Sequence, residues 1–321
     1  MSSLRKYYHQ MKKLRIFIQI IIGISIIAFI LNKLDIEKVM VVLGKTDLIY
    51  FILACISYLL LNLVLAFRLS YLLKKIGHNI KYINVFLSHM GGMIVGDITP
   101  GRSGYFLTPS ILKKTSGIPI TESMACIFAP QGIEFILKVA GAAAALIFIS
   151  SFSNVSRNFI ISSMIGAILL LVVGIFMLLL SWHEEKVSSR LLSKVPFFNN
   201  FAVNLTFFKD RSILIKNSLD KILILYMIGW IFATLQWYFL AKAIGLYIPF
   251  FAIFLLHPLI TILMFVPISP AGLGLMEGGV ILVFSFFGIS SAAAMAFSVL
   301  VRINILFVDL IGLKTVMKAS K

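Results

Sequence analysis

Ionisable side chains occur in two Pro- and Gly-rich stretches that interrupt otherwise apolar parts of this sequence. The first stretch, PGRSG at 100–104, carries Arg102, and Asp97 lies five residues before it. The second, PAGLGLMEGG at 270–279, carries Glu277. Ionisable residues inside a bilayer are costly and usually functional, and a planar guanidinium can bind a phosphate through two parallel hydrogen bonds. The first stretch therefore predicts phosphate recognition, with a simple Asp97–Arg102 ion pair as the alternative.

Two further sets of ionisable residues lie within long apolar segments. Arg302 and Asp309 are spaced so that they lie two turns apart on one face of a helix. If Arg302 has a structural role, Asp309 is its expected partner. Glu134 and Lys138 have the i, i+4 spacing of a helical ion pair, so pairing competes with a functional role for both.

The sequence contains no recognisable catalytic or metal-binding constellation. It has no Walker motif, no GxSxG and no His–Cys cluster with zinc spacing. His89 and His257 stand singly in apolar arms, where we interpret them as structural polar groups rather than proton carriers. We therefore expect that the protein is not an enzyme and uses no cofactor or metal.

The composition is that of an integral membrane protein. Hydrophobic residues make up 60% and charged residues 13%, against about 45–50% and 25% in soluble domains. The net charge of +17 would suggest nucleic acid for a soluble protein, but in membrane proteins Lys and Arg accumulate in cytoplasmic loops and attract anionic lipid. We therefore expect no nucleic-acid partner. Cys55 and Cys126 lie in apolar segments and are predicted to be unpaired.

The apolar segments predict an all-α polytopic membrane protein with about six full spans and two re-entrant helical hairpins. The hairpins are expected at 85–118 and 249–289, where Pro and Gly break the apolar run, since such breaks are tolerated only where protein or water satisfies the backbone. The alternative for each hairpin is two ordinary kinked spans. The expected full spans are 16–31, 48–67, 131–152, 159–181, 222–244 and 291–313.

The distribution of basic residues predicts the orientation in the cell membrane. Both termini are expected in the cytoplasm, together with the polar segment 184–221, whereas the loops 32–47 and 153–158 are expected outside. The basic residues that mark the cytoplasmic side are Arg5, Lys6, Lys12, Lys13, Arg15, Arg68, Lys74, Lys75, Lys81, Lys113, Lys114, Lys314, Lys318 and Lys321.

An internal repeat relates the two hairpins. A shift of 170 residues lays PGRSG on PAGLG, and the predicted topology gives the two units opposite orientations. We therefore predict a single transmembrane domain, 1–321, with repeat 1 at about 48–152, repeat 2 at about 220–313 and a cytoplasmic amphipathic linker at about 183–219. Inverted repeats with interrupted helices are typical of alternating-access transporters, whose sites lie near the midplane between the repeats.

The substrate site is expected at the two hairpin tips. A half-helix that starts inside the membrane presents unpaired N–H groups and a partial positive charge to an anion, and glycine allows a ligand to approach the backbone closely. The alternative is that Gly and Pro merely permit tight packing. The residues expected to bind substrate are Asp97, Pro100, Gly101, Arg102, Gly104, Pro270, Gly272, Gly274, Glu277 and Arg302.

The stretches PGRSGYFLTPSILKKTSGI at 100–118 and PAGLGLMEGGVILVFSFFGISSAAAMAFSVLVRI at 270–303 resemble the transmembrane, flippase-like domain of lysylphosphatidylglycerol synthase. The resemblance covers about 48–314 and implies movement of aminoacylated phospholipid, or of polyprenyl-phosphate sugars, between leaflets. The sequence departs from the family pattern at Tyr105, where an acidic residue is usual, and at Gln131, where Arg is common. The soluble aminoacyl-transfer domain has no counterpart here, so lipid synthesis is not expected.

The leading functional hypothesis is a flippase for an anionic or aminoacylated phospholipid or a polyprenyl-phosphate-linked precursor. One alternative is a non-transporting membrane subunit that anchors or regulates a lipid-modifying enzyme or glycosyltransferase. Another is an ion-coupled transporter of a soluble anion. Besides the lipid, the partners left open by the sequence are a second copy of the chain and a lipid-modifying enzyme.

Overall fold

The computed structural model describes residues 36–183 and 205–320, and within these ranges it is helical, without β-strands. The predicted span at 16–31, the basic N-terminal residues, Lys321 and residues 184–204 of the linker lie outside the described residues. The helices are α1 (Ile36–Gly44), α2 (Leu48–Lys75), α3 (Tyr82–Asp97), α4 (Thr108–Ser116), α5 (Ile120–Ser150), α6 (Arg157–Trp182), α7 (Leu205–Lys216), α8 (Leu219–Ala243), α9 (Phe250–Thr261), α10 (Leu275–Ser285), α11 (Ser291–Asp309) and α12 (Leu313–Ser320).

Within residues 36–183 and 205–320, five helical segments are long and apolar enough to cross a membrane: α2, α5, α6, α8, and α11 with its continuation into α12. The shortest of them, α8, has 25 residues, which at about 1.5 Å per residue exceeds the roughly 30 Å of bilayer hydrocarbon. Their outer faces carry large exposed apolar side chains, for example Ile49 and Ile147. Such faces suit lipid rather than water, and the predicted all-α polytopic membrane fold is confirmed.

The two Pro- and Gly-rich regions form hairpins of short helices. The first consists of α3, a 3-10 turn at Ser103–Leu107 and α4; the second consists of α9, a 3-10 turn at Ile262–Phe265 and α10. The longest of these helices, α3, has 16 residues and is only about 24 Å long. Because none of the four reaches the thickness of the hydrocarbon layer, the lengths favour re-entrant hairpins over pairs of full spans.

The helix contacts have the exchange symmetry expected of two repeats. Helix α2 packs along α8, its counterpart in the second repeat. Helix α3 of the first hairpin packs on the end of α11, while α9 of the second hairpin packs on α5. The first arm of each hairpin thus lies against the last long helix of the other repeat. This interlocking places both hairpin tips in the centre of the helix bundle.

Part of the predicted linker forms helix α7, which packs against α5 and α6. The ring N–H of Trp182 donates a hydrogen bond to the Ser212 carbonyl at 3.0 Å. Arg211 lies 3.6 Å from Glu122 at the start of α5. Phe208 of α7 is buried in a hydrophobic cluster. The linker helix is therefore docked on the bundle by apolar and polar contacts.

Cys55 and Cys126 are unpaired, as expected.

Candidate functional site

The tips of the two hairpins touch each other, as the sequence repeat predicts. Pro100 and Pro270 form an isolated antiparallel β-bridge, and the backbone N–H of Ala271 donates to the Thr99 carbonyl at 3.0 Å. These are equivalent segments under the shift of 170 residues. The direct contact supports the assignment of the two hairpins to equivalent positions in the two repeats.

The tips also share an uncommon backbone conformation. Gly101 and Arg102 have φ of 59° and 54°, and the equivalent Ala271 and Gly272 have φ of 41° and 65°. A Cβ atom on Gly101 would lie 2.9 Å from the Phe265 carbonyl oxygen of the opposite hairpin. Positive φ favours glycine, and here the close approach comes from protein backbone. At Gly101, glycine therefore permits tight packing of the two hairpins rather than the approach of a ligand.

In the first tip, Arg102 pairs with the last residue of α3. Its Nη2 donates to Asp97 Oδ1 at 2.5 Å. The N–H of Gly104 donates to the Thr99 hydroxyl at 2.7 Å, which ties the turn to the end of the helix. The Asp97–Arg102 pair that the sequence offered as an alternative to phosphate binding is therefore present.

In the second tip, Glu277 satisfies the N-terminus of α10 from within the chain. Its Oε2 accepts from the Gly274 N–H at 2.7 Å, and its Oε1 accepts from Nε of Arg302. Arg302 thus pairs with Glu277. The prediction that Asp309 would be its partner was wrong, because the Asp309 carboxylate accepts a hydrogen bond from the Tyr58 hydroxyl. The helix N-terminus that was expected to attract a substrate anion already faces a carboxylate of its own.

A cavity of about 140 Å³ lies between the two repeats. Both hairpins reach it, as do the long helices α2, α5, α8 and α11. Of the residues expected to bind substrate, Gly101 and Arg102 line this cavity, whereas the others shape or brace the tips. Those others are Asp97, Pro100, Gly104, Pro270, Gly272, Gly274, Glu277 and Arg302.

Three cations line the cavity, and one of them is unpaired. Lys138 lies 3.3 Å from Glu134, as the helical spacing predicts, and Arg102 is paired with Asp97. Arg68 is 5% exposed; within the described ranges it has no ion-pair partner, and its Nη1 has no hydrogen-bond partner. A buried charge without a partner is costly, so Arg68 is the strongest anion-seeking group of the cavity.

The prediction that the second span ends at 67, with Arg68 following it, was wrong about where the helix ends. Helix α2 instead continues to Lys75, so Arg68 lies two turns inside the helix with its side chain facing the cavity. The expected span ended at 67 because a charge usually marks the end of an apolar run. The unbroken helix-forming sequence after Arg68, RLSYLLKK, is the signal that could have corrected this.

Amide and aromatic side chains complete the walls. Gln131 and Gln236 both line the cavity, and Nε2 of Gln236 donates to the Asn304 side-chain oxygen at 2.7 Å. Trp230 and Trp237 come from the same helix, α8. Gln131, where the family resemblance led us to expect Arg, thus lies in the cavity wall. The lining offers hydrogen-bond donors and flat apolar surface together.

The two histidines have different surroundings. His89 is fully buried, with Nε2 3.1 Å from the Asn62 side-chain oxygen and Nδ1 3.2 Å from the Tyr105 hydroxyl. It also lines the cavity. His257 stands edge-on to Trp237 at the cavity wall, with ring centroids 4.8 Å apart. In the part of the chain that the structure describes, no group of three or more His, Cys, Asp or Glu is arranged to hold a metal ion.

Comparison with known proteins finds archaeal relatives of similar length. A UPF0104 membrane protein of Methanothermobacter thermautotrophicus is 21% identical over 311 residues, covering 89% of this chain and 90% of the relative. One of Pyrococcus horikoshii is 23% identical over 317 residues, covering 89% and 92%. A third, of Methanocaldococcus jannaschii, is 31% identical over 87 residues, which is 27% of this chain and 26% of the relative.

The family comparison covers most of the chain. The family model described as the lysylphosphatidylglycerol synthase TM region matches residues 16–312. This range contains both hairpins, the cavity and all ten residues expected from the sequence to bind substrate. The chain therefore belongs to the family of the lysylphosphatidylglycerol synthase transmembrane region.

Proposed function

We propose that this protein is a lipid transporter that moves a phosphate-bearing lipid between leaflets with the headgroup held in the central cavity. The observation that carries the proposal is the buried, unpaired guanidinium of Arg68 in the cavity wall. A phosphate placed there would supply the missing partner, because guanidinium and phosphate form strong, often bidentate, hydrogen bonds.

The position of the cavity supports transport over simple anchoring. It lies between two repeats whose interrupted helices meet at its edge, which is where alternating-access transporters bind their substrates. An anchor or regulatory subunit has no need of a buried, uncompensated cation. Membership of a family defined on a lipid-synthase membrane region supports a lipid as the substrate.

The substrate class is an anionic or aminoacylated phospholipid or a polyprenyl-phosphate-linked precursor. All of these carry a phosphate for Arg68. The neighbouring Glu134 and Lys138 form a polar wall in which either partner can be exchanged for a headgroup of matching charge. Acyl or polyprenyl chains would remain outside the cavity, against the apolar faces of the helices.

Leaflet exchange in proteoliposomes tests the proposal. Labelled phosphatidylglycerol is placed in one leaflet, and its appearance in the other is followed for the wild type and for Arg68→Ala. Hydrogen bonds to charged groups contribute about 1.5–3 kcal/mol, so Arg68→Ala should slow exchange about 10- to 100-fold. Arg157→Ala, an exposed arginine at the start of α6, is the matched control and should exchange normally.

Two results would contradict the proposal. Exchange that survives Arg68→Ala would remove the phosphate site. A folded wild type that moves none of the labelled lipids tested, including a polyprenyl phosphate, would instead favour the non-transporting subunit.

A further inference from the structure

A cluster of four side chains adjoins the cavity beside Arg102. Asp309 is fully buried, and its Oδ2 accepts from the Tyr58 hydroxyl at 3.1 Å. Asp97 Oδ1 accepts from Arg102 at 2.5 Å. Asp309 interacts electrostatically with both Asp97 and Arg102, so the four side chains form one cluster. Tyr58 and Arg102 also line the cavity, so the cluster is in direct contact with the candidate substrate site.

Each carboxyl group in this cluster has one oxygen without a donor. Asp97 Oδ2 and Asp309 Oδ1 are both buried and have no hydrogen-bond partner among the described residues. Two neighbouring carboxylates repel each other, and a proton bound by the pair relieves this repulsion. A single proton between the two carboxyl groups would satisfy both orphan oxygens at once.

The charge balance of the cavity connects this proton to the substrate. The charged residues of the cavity and the cluster are three cations and three carboxylates, so the empty site is neutral when both carboxyl groups of the pair are ionised. A phosphodiester bound at Arg68 would add one negative charge to a region where net charge is costly. One proton on the carboxyl pair restores neutrality. The residues counted are Arg68, Arg102, Lys138, Asp97, Glu134 and Asp309.

We infer that the Asp97–Asp309 pair takes up one proton when an anionic phosphodiester headgroup binds at Arg68, so that lipid and proton move together. The inference rests on the proposed function and adds its coupling ion. Arg102 links the two sites, because it pairs with Asp97 and lines the cavity. Protonation of the pair weakens its hold on Arg102 and leaves the guanidinium available to the headgroup.

Other groups near the cluster are less suited to carry this proton. His89 and Tyr105 interact electrostatically with Arg102, but both His89 ring nitrogens already lie within hydrogen-bond distance of Asn62 or Tyr105. Among the described residues, no group of three or more His, Cys, Asp or Glu side chains is arranged to hold a metal ion. A proton is the coupling ion that two carboxyl groups and one tyrosine can hold.

The proton count of binding tests the inference. Purified full-length protein in detergent is titrated calorimetrically with a short-chain phosphatidylglycerol, in buffers of different ionisation enthalpy at one pH. The dependence of the observed heat on the buffer gives the number of protons taken up per lipid. The wild type should bind the lipid with uptake of about one proton, since the charge added is one.

Variants assign the proton to the carboxyl pair. Asp309→Asn removes one negative charge permanently, so it should bind the same lipid with no proton uptake and with an affinity that no longer rises as the pH falls. Asp220→Asn, an exposed aspartate in the first turn of α8, should retain the wild-type proton count. A wild-type count near zero overturns the inference even if Asp309→Asn fails to fold.

The outcomes separate the two proposals. Lipid binding without proton uptake, or uptake that persists in Asp309→Asn, overturns the inference and leaves the lipid site standing. Absence of lipid binding by folded wild type overturns both. Inorganic phosphate serves as a second probe: proton-linked binding of phosphate with the same affinity as the lipid would identify a transporter of soluble anions.

Discussion

At the scale of single residues, the buried arginines divide by whether the chain itself supplies their counter-charge. Arg302 has Glu277, which is 2% exposed, and Arg102 has Asp97. Arg68 has no such partner within the described ranges. A paired arginine is part of the apo structure, whereas an unpaired one is best explained by a ligand. The two kinds should respond differently to substitution.

Arg302→Ala should destabilise the protein strongly. It leaves the Glu277 carboxylate buried without its counter-ion, a change that costs about 3–5 kcal/mol in soluble proteins. Expression yield and the melting temperature in detergent should both fall. Adding Glu277→Gln should recover part of the loss, because it removes the stranded charge. A melting temperature unchanged by Arg302→Ala would mean that the ion pair is not a structural element.

Arg68→Ala should leave the melting temperature of the apo protein unchanged or raise it. The substitution removes an uncompensated buried charge and enlarges a cavity that already exists, so its two effects on stability oppose each other. Arg68→Lys keeps the charge but loses the planar fork, and should weaken lipid binding while the melting temperature stays constant. If Arg68→Ala unfolds the protein, the guanidinium has a structural role instead.

At the scale of helices, the sequence predicts where helices are interrupted better than it predicts which side chains from different helices meet. Pro and Gly clusters locate both hairpins, since they interrupt apolar runs that could otherwise span the membrane. The partner of Arg302 was not predictable in the same way: Glu277 lies in another helix, and the turn between α10 and α11 decides whether the two meet. The end of the second span was predicted too early, before Arg68. A long helix can hold a charged side chain within the bundle when neighbouring helices form a polar cavity around it.

The contact between the hairpin tips should be one that the transport cycle breaks. In the double variant Pro100→Cys and Pro270→Cys, the bridged positions are close enough for a disulfide, which requires Cα atoms about 4.4–6.8 Å apart. Oxidation should stop lipid exchange in proteoliposomes, and reduction should restore it. Each single variant under oxidation is the control. Undiminished exchange by the fully cross-linked protein would show that the tips move together rather than apart.

At the scale of the whole molecule, the interlocked hairpins account for how two short, broken segments are held inside a bilayer. The first arm of each hairpin packs on the last long helix of the other repeat, so the repeats stabilise each other's irregular backbone. The sequence anticipates this plan through the 170-residue repeat. It does not reveal the cavity, because the cavity arises only where side chains from several helices converge.

The orientation in the membrane remains a prediction from the charge distribution. Asn154→Cys, in the exposed turn between α5 and α6, should react with a membrane-impermeant thiol reagent in intact cells. Ser320→Cys, near the C-terminal end of α12, should react only after permeabilisation. Wild-type protein gives the background from Cys55 and Cys126. The reverse labelling pattern would show that the protein has the opposite orientation in the membrane.

The central claim is that a lipid headgroup occupies the cavity with its phosphate on Arg68, and imaging the protein in lipid nanodiscs by electron cryo-microscopy tests it most directly. The wild type should show phosphate density about 2.7–2.9 Å from the Arg68 guanidinium, continuous with acyl-chain density leaving the cavity, and Arg68→Ala should lose it. An empty cavity in wild type, with ordered lipid confined to the outer helix faces, would contradict the account.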